Sequence, residues 1–202
     1  MNLTNVTSCD FVPELVAKMN ERNVPGVSYA VMDFLAMSYE SNSFDVILDK
    51  GSFDAICLDV DPESETKFTK YLSEQIRVLD HSAGGKFLII SLLQAHVLDA
   101  LLDYFVRGKN NPHFADYVFD LELRKLDKIC DVRDSKFVSF LLAFTKKPRS
   151  ESETTSTLSL KLGTGIDAEV MTEDALKQRV KELQLIAIQT TEVKEFSKGQ
   201  VF

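Results

Sequence analysis

The sequence predicts an α/β fold with an open parallel sheet, and two observations lead to that prediction. Strand-like runs of β-branched or apolar residues alternate with amphipathic helical stretches along most of the chain. Three of these runs end in an aspartate, at Asp10, Asp33 and Asp49. Ligands of open parallel sheets bind beyond the carboxyl ends of the strands, so aspartates in these places favour a ligand site there.

The elements of the first half follow from residue type and spacing. The predicted strands are residues 3–9, 27–32, 44–48 and 86–91. The predicted helices are residues 13–21, 63–79 and 94–107, and the second of them places Phe68, Tyr71, Leu72, Ile76 and Leu79 on one face. Residues 53–58 fit either a short helix or an extended connection. The order is that of strands connected by helices, typical of a parallel sheet.

In the second half of the chain, the alternation of strands and helices gives way to a different pattern. Residues 117–126 and 137–145 indicate two adjacent strands, and residues 146–157 an exposed loop whose basic run, Lys146–Arg149, is solvated. Residues 158–162 then suggest a strand and residues 172–189 a helix. The predicted organisation is a core over 1–147, a linker or exposed loop over 148–157, and a C-terminal strand and helix appendage over 158–202.

Composition excludes several classes of protein. The 202 residues carry a formal net charge of -8, which disfavours binding to a nucleic acid backbone. The excess acid fits either a basic protein partner or ordinary solubility. No run approaches the roughly 18 apolar residues of a membrane span, so a cytoplasmic protein without a membrane association is expected. The three cysteines lack metal-ligand spacing, and no metal site is predicted.

The aspartates suggest how an adenosine could be held. A carboxylate such as Asp10 can accept both ribose hydroxyls, and one after the next strand, Asp33, can accept an adenine amino group. Phe11 or Phe34, beside these acids, would supply an apolar face for the base. The alternative for each aspartate is a cap of the following helix or turn.

The string from Asp49 to Ala55 is the most unusual in the chain. Asp49 and Lys50 follow a strand directly, Gly51 permits a tight turn, and Ser52 comes next. Lys50, Gly51 and Ser52 are candidates for a loop that faces the substrate. The alternative is a turn that ends the strand and carries a surface ion pair.

Four strings in chain order carry a resemblance to a known family. They are Ile47-Leu-Asp-Lys-Gly-Ser-Phe-Asp-Ala55, Ile76-Arg-Val-Leu79, Gly84-Gly-Lys-Phe-Leu-Ile-Ile-Ser91 and Leu93-Gln-Ala-His-Val-Leu98. They resemble the N-terminal methyltransferase domain of the elongation factor 1-alpha lysine and N-terminal methyltransferases, which are class I methyltransferases. The match runs from about Leu3 to Lys146.

This resemblance implies a seven-stranded Rossmann-like sheet and methyl transfer from S-adenosylmethionine to a protein lysine, with elongation factor 1-alpha as the leading substrate. By the same resemblance, Asp10 binds the cofactor ribose, Asp33 with Phe34 lies at the adenine, and Asp49 with Lys50 lines the methionine and substrate side. Such a transfer depends mainly on positioning and desolvation, so no catalytic residue is assigned.

The chain departs from the family pattern at its start. Families of this class begin with a strand and a Gly-x-Gly loop, and this chain is expected to begin one strand later, as a truncated domain. The alternative function is therefore a catalytically inactive remnant, or an interaction module that no longer binds cofactor. Gly163-Thr-Gly165 offers only a weak substitute for the loop, and His96 is expected at a surface or helix end rather than as a base.

Overall fold

The structure is a computed structural model of the chain and describes residues 5–57, 62–80, 82, 84–126, 138–150, 157–161 and 169–198. Its strands are β1 (Val6–Asp10), β2 (Val27–Val31), β3 (Val46–Lys50), β4 (Lys86–Ser91), β5 (Tyr117–Leu126), β6 (Ser139–Pro148), β7 (Leu158–Lys161) and β8 (Glu169–Val170). Its helices are α1 (Pro13–Glu21), α2 (Ser52–Ile56), α3 (Pro62–Val78), α4 (Ala95–Phe105) and α5 (Glu173–Lys198). The predicted α/β fold class is confirmed.

The strands form two sheets within the described residues. β1 and β2 pair in parallel, from Val6 opposite Val27 to Asp10 opposite Val31. The other six strands form a sheet in the order β3-β4-β6-β5-β7-β8. β3 is parallel to β4, and β6 runs antiparallel to both of its neighbours. The six-stranded sheet is therefore mixed rather than parallel, and among the described residues no strand ladder joins β1 to β3.

β5 and β6 are adjacent, as predicted, but their order within the sheet was not predicted. β5 and β6 pair antiparallel, from Tyr117 opposite Pro148 to Leu126 opposite Ser139. β6 lies between β4 and β5 in the sheet, although β5 follows β4 directly in the chain. Both flanking partners are thereby hydrogen-bonded to the long apolar run of β6.

The main core lies between one face of the six-stranded sheet and the helices. Phe87 pairs in register with Phe144, Ile89 pairs with Leu142, and each of these side chains is at most 1% exposed. Phe105 of α4 stacks on Phe144 with ring centroids 4.0 Å apart. Strand residues alternate between faces, so these four side chains share the face that the helix covers. This packing holds β4 against β6 and α4, and so positions the residues that follow the carboxyl end of β4.

The predicted solvation of Lys146–Arg149 is wrong. Lys146 belongs to β6 and is 2% exposed, and its Nζ donates hydrogen bonds of 2.8 Å to the carbonyl oxygens of Ile76 and Leu79. The last carbonyls of a helix lack partners within the helix, so this amine caps the end of α3. Arg149 donates to the carbonyl oxygen of Phe114 at 2.8 Å. Lys146 and Arg149 thus bind backbone carbonyls distant in sequence, whereas Lys147 pairs with the carboxylate of Asp120.

The C-terminal segment packs on the same core. β7 pairs in parallel with β5, and Leu176 and Val180 of α5 are 0% and 4% exposed within the core cluster. Strand β6 extends to Pro148, the first residue of the predicted linker, and residues 151–156 lie outside the described ranges. The division of the chain at 148–157 stays a prediction.

Candidate functional site

Asp10 and Asp33 lie at the carboxyl ends of the two-stranded sheet. Asp10 is the last residue of β1, and one oxygen of its side chain, Oδ1, accepts a 2.9 Å hydrogen bond from the amide of Val12. Asp33 follows β2 by two residues, and its Oδ1 accepts a 2.9 Å bond from the amide of Leu35. Both side chains make the same short turn, in which an aspartate binds the backbone two residues later. Among the described residues, neither second carboxylate oxygen has a protein donor.

The two phenylalanines beside these acids differ in their surroundings. Phe11 is 70% exposed. Phe34 is partly buried and meets the ring of Tyr71 edge to face, with centroids 6.4 Å apart. Phe34 is therefore the more firmly placed of the two candidate surfaces for a base.

Asp49 is enclosed by its own chain. It is 4% exposed; its Oδ1 accepts from the amide of Ser52 at 2.8 Å, and its Oδ2 accepts from the amide of Phe53 at 2.9 Å. The hydroxyl of Tyr71 donates to the same Oδ2 at 2.8 Å. The amides at the start of a helix lack partners within the helix, so Asp49 satisfies two of those of α2.

Tyr71 connects Asp49 to Phe34, the residue after Asp33. Burial, and then the charge of Asp49, raises the pKa of Tyr71, so its hydroxyl stays protonated and donates to the carboxylate. Its ring contacts Phe34, the neighbour of Asp33, and Asp33 follows the strand that pairs with β1. Sequence reasoning assigned Tyr71 to the apolar face of a helix, because a tyrosine at helical spacing does not reveal a partner 22 residues away.

The turn after β3 has the geometry expected from its glycine. Lys50 is exposed, and Gly51 has a φ of 82°, in the left-handed region that favours glycine. A Cβ added at Gly51 would meet no atom within 4 Å, so conformation rather than space requires a glycine here. Ser52 is the first residue of α2, and residues 53–56, left open between two interpretations, are helical. Lys50, Gly51 and Ser52 stay predictions as substrate-facing residues.

Asp54, in the same motif, binds the end of β4. Its carboxylate accepts from Ser91 Oγ at 2.6 Å and from the amide of Leu92 at 3.0 Å. Ser91 Oγ in turn accepts from the amide of Leu93 at 2.7 Å. β3 and β4 pair in parallel, so their ends lie at one edge of the sheet, and Asp54 joins the two turns that leave it. Sequence reasoning gave Asp54 no role, although it lies within the motif that carried the resemblance.

Two further groups near this edge are structural. His96 Nε2 lies 2.8 Å from the carbonyl oxygen of Cys57, so the ring joins α4 to the end of α2. Burial, followed by the charges of Asp54 and Asp49, raises the pKa of Cys57 to about 12. The thiol is protonated at neutral pH and is not a nucleophile. The expected place of His96 near a helix end is confirmed, since it is the second residue of α4.

One surface cavity borders the predicted site at Leu35, the residue after Phe34. It has a volume of about 660 Å³ and is lined by α3, by Leu35 and by the loop of residues 108–112. None of the predicted site residues lines it. Among the helices described, none has the length and apolar character to cross a bilayer.

Comparison with known proteins identifies relatives by sequence. The chain is 39% identical over 107 residues to the eEF1A lysine and N-terminal methyltransferase of Xenopus laevis, and 33% identical over 106 residues to that of Homo sapiens. Each match covers 52% of this chain and 15% of the relative. The predicted resemblance is confirmed. The chain thus spans about 15% of the length of these relatives, and no family model matches it.

A solved structure gives a weaker likeness. N-methyltransferase NodS from Bradyrhizobium japonicum WM9, in complex with S-adenosyl-l-homocysteine, superposes with a TM-score of 0.45 at 15% identity. The superposition covers 71% of this chain and 66% of NodS.

Proposed function

We propose that this chain is part of an S-adenosylmethionine-dependent protein-lysine methyltransferase, with elongation factor 1-alpha as the leading substrate. The observation that carries the proposal is the sequence similarity, over half of the chain, to proteins named as eEF1A lysine and N-terminal methyltransferases. The aspartates at the ends of β1, β2 and β3 support it, because the carboxyl edge of such strands is where ligands bind.

The residues at this edge fit the adenosine part of the cofactor. Asp10 and Asp33 each use one oxygen for their own turn and keep one to accept a bond from a ligand. Asp10 would accept from the ribose hydroxyls and Asp33 from the adenine amino group, both of which are donors. Phe34, held against Tyr71, would present an apolar surface to the base. Phe11 is exposed enough to fold over the same ligand.

The methyl-transfer side depends on position rather than on acid or base chemistry. Bound S-adenosylmethionine would supply an electrophilic methyl group. A neutral lysine amine would form the new N–C bond in line as the S–C bond breaks, with S-adenosylhomocysteine as the leaving group and the amine proton passing to solvent. The protein must align the amine and exclude water, which together account for most of the acceleration. Asp49 would contribute indirectly, since its bonds to the Ser52 and Phe53 amides hold the turn that carries Lys50 and Gly51.

A second candidate function has its own observation. Asp49 is 4% exposed and its two oxygens accept three bonds from within the chain, so the carboxylate presents almost no accessible surface to a ligand. A domain with only Asp10 and Asp33 open could retain a protein-binding face without holding the cofactor firmly. We therefore carry a non-catalytic interaction module as the alternative.

The decisive experiment measures methyl transfer and cofactor binding on the same protein. The full-length protein is incubated with labelled S-adenosylmethionine and elongation factor 1-alpha, either unaltered or carrying lysine-to-arginine substitutions. We expect incorporation that one substitution abolishes. Calorimetry should show cofactor binding that Asp10→Ala weakens at least about tenfold, the loss expected for one or two charge-assisted hydrogen bonds.

The matched control is Asp45→Ala, an exposed aspartate just before the start of β3 and so at the opposite end of that strand from Asp49, which should leave cofactor binding unchanged. Methyl transfer to another protein or to a terminal amine would support the methyltransferase activity and contradict elongation factor 1-alpha lysine as the substrate. Binding of elongation factor 1-alpha without any binding of S-adenosylmethionine would establish the interaction module instead.

A further inference from the structure

The loop after β4 contains an unusual backbone conformation. Five non-glycine residues in the described ranges have a positive φ, and four of them are asparagines, which tolerate this region. The fifth is Leu93, with a φ of 51°. A leucine in the left-handed region is destabilised by roughly 1–2 kcal/mol, so its surroundings must impose the conformation.

One side of this loop is held by α2. The carboxylate of Asp54 accepts from Ser91 Oγ and from the amide of Leu92, and Ser91 Oγ accepts from the amide of Leu93. Asp54 therefore fixes the donors of Ser91 and Leu92 directly, and that of Leu93 through Ser91 Oγ. The contact spans 37 residues of sequence between Asp54 and Ser91, so it is tertiary rather than local.

The opposite side is held by α5. Gln184 Nε2 donates to the carbonyl oxygen of Leu92 at 2.5 Å and to that of Leu93 at 3.2 Å. The helix itself is anchored by Leu176, Val180 and Leu183, all of them buried in the main core. The amide side of the loop is thus fixed by Asp54, and its carbonyl side by Gln184.

We call the contacts of Asp54 and Gln184 with Ser91, Leu92 and Leu93 the clamp. The clamp determines which of these three side chains reaches solvent. Ser91 and Leu93 are 2% and 1% exposed, whereas Leu92 between them is 36% exposed. Because β3 and β4 are parallel and Lys50 pairs with Ile90, Leu92 leaves the same edge of the sheet as Gly51 and Ser52. An apolar side chain held rigidly at that edge is suited to contact an acceptor protein, since little conformational entropy remains to be lost on binding.

We propose that Asp54 and Gln184 are positioning residues that hold Leu92 as a contact for the acceptor protein. The proposal rests on the proposed function and adds to it the loop that receives the substrate. Neither residue needs to touch the cofactor. Their effect is to keep the backbone of Leu92 and Leu93 in one conformation before the acceptor arrives.

The test separates acceptor binding from cofactor binding in the full-length protein. Gln184→Glu keeps the shape of the side chain and removes the donor, and Asp54→Ala removes both acceptors. We expect each to raise KM for elongation factor 1-alpha about tenfold, the effect of losing roughly 1.4 kcal/mol of hydrogen bonding, and to leave the Kd of S-adenosylmethionine within about twofold. Amide hydrogen exchange over residues 91–95 should become faster in both variants.

Two further variants distinguish positioning from general stability. Gln184→Lys retains a donor and should return KM towards that of the unaltered protein. Leu185→Ala, a truncation of the exposed neighbour on α5, should change neither KM nor hydrogen exchange. Leu92→Ala should raise KM without accelerating exchange, because it removes the contact and leaves the clamp intact.

The outcomes are distinguishable. Absence of methyl transfer by the unaltered protein would reject the proposed function, and the acceptor role of the clamp with it. Normal transfer with an unchanged KM in Asp54→Ala and Gln184→Glu would overturn the clamp alone. Equal losses of cofactor affinity and acceptor affinity would also overturn it, since they would show a general disturbance of the site.

Discussion

Two pairs of aspartates follow strands of this protein, and the structure uses them in opposite ways. Asp10, the last residue of β1, and Asp33, two residues after β2, each accept one backbone bond and keep an oxygen without a protein donor among the described residues. Asp49, near the end of β3, and Asp54, in α2, accept two or more bonds each, from donors of α2, of α3 and of the end of β4. The first pair keeps a carboxylate oxygen that can accept a bond from a ligand, and the second pair holds the turns that follow β3 and β4.

The difference teaches that the position of an acid at a strand end does not define its role. What decides is whether backbone donors and a hydroxyl converge on it from other elements. For Asp49 that convergence includes Tyr71 of α3, and for Asp54 it includes Ser91 of β4. A buried carboxylate with several donors is stabilising only while all of them are present.

The largest expected effect is at Asp49. Asp49→Ala would leave the hydroxyl of Tyr71 and the amides of Ser52 and Phe53 without their acceptor in a buried place. We expect the free energy of unfolding to fall by about 3 kcal/mol, measured by urea denaturation of the 202-residue chain. Tyr71→Phe, which removes a single donor, should be clearly less damaging. A loss below about 0.5 kcal/mol for Asp49→Ala would mean that this aspartate resembles Asp10 and Asp33 after all.

The next effect depends on pH and also tests the enclosed pair. The pKa of Cys57 is raised to about 12, by burial first and then by Asp54 and Asp49, so the unfolded chain loses this proton before the folded chain does. The contribution to stability is complete below about pH 9 and declines as the pH rises towards 12. By about pH 10 the loss of this contribution should amount to about 1 kcal/mol.

The measurement is the pH dependence of unfolding in the unaltered chain minus that of Cys57→Ala. Taking the difference removes the tyrosines, several of which also have a raised pKa. Parallel curves for the two proteins between pH 8 and 11 would contradict the prediction.

A smaller effect is expected at Gly51, in the turn between the two enclosed acids. Gly51→Ala should lower the free energy of unfolding by about 1 kcal/mol, because alanine is strained at positive φ while no neighbouring atom opposes its Cβ. Gly51→Asn should be less destabilising, since asparagine enters this region more readily. Thermal denaturation of the two variants shows which one is less stable. Equal losses of stability in Gly51→Ala and Gly51→Asn would argue against a conformational cause.

The sequence predicted the elements well where local pattern decides, and less well where distant partners decide. Residue type, apolar runs and, for β5, alternation located the strands from β1 to β7 to within a few residues, and the acids at the ends of the first three marked the candidate site. The burial of Lys146 was missed because its acceptors, Ile76 and Leu79, are 70 and 67 residues away. The same reason hides the bond between Gln184 and Leu92, whose partners are 92 residues apart.

The smallest effect on stability is expected at Asp33, which makes it the sharpest test of the open pair. Asp33→Asn keeps an oxygen that can accept from the amide of Leu35, so the turn survives and the free energy of unfolding should change by less than about 0.5 kcal/mol. The substitution also places an amide donor where an adenine amino group would need an acceptor. Cofactor affinity, measured by calorimetry on the full-length protein, should therefore fall while stability does not. A fall in stability with unchanged affinity would reverse the assignment, since Asp33 would then be structural in the same sense as Asp49.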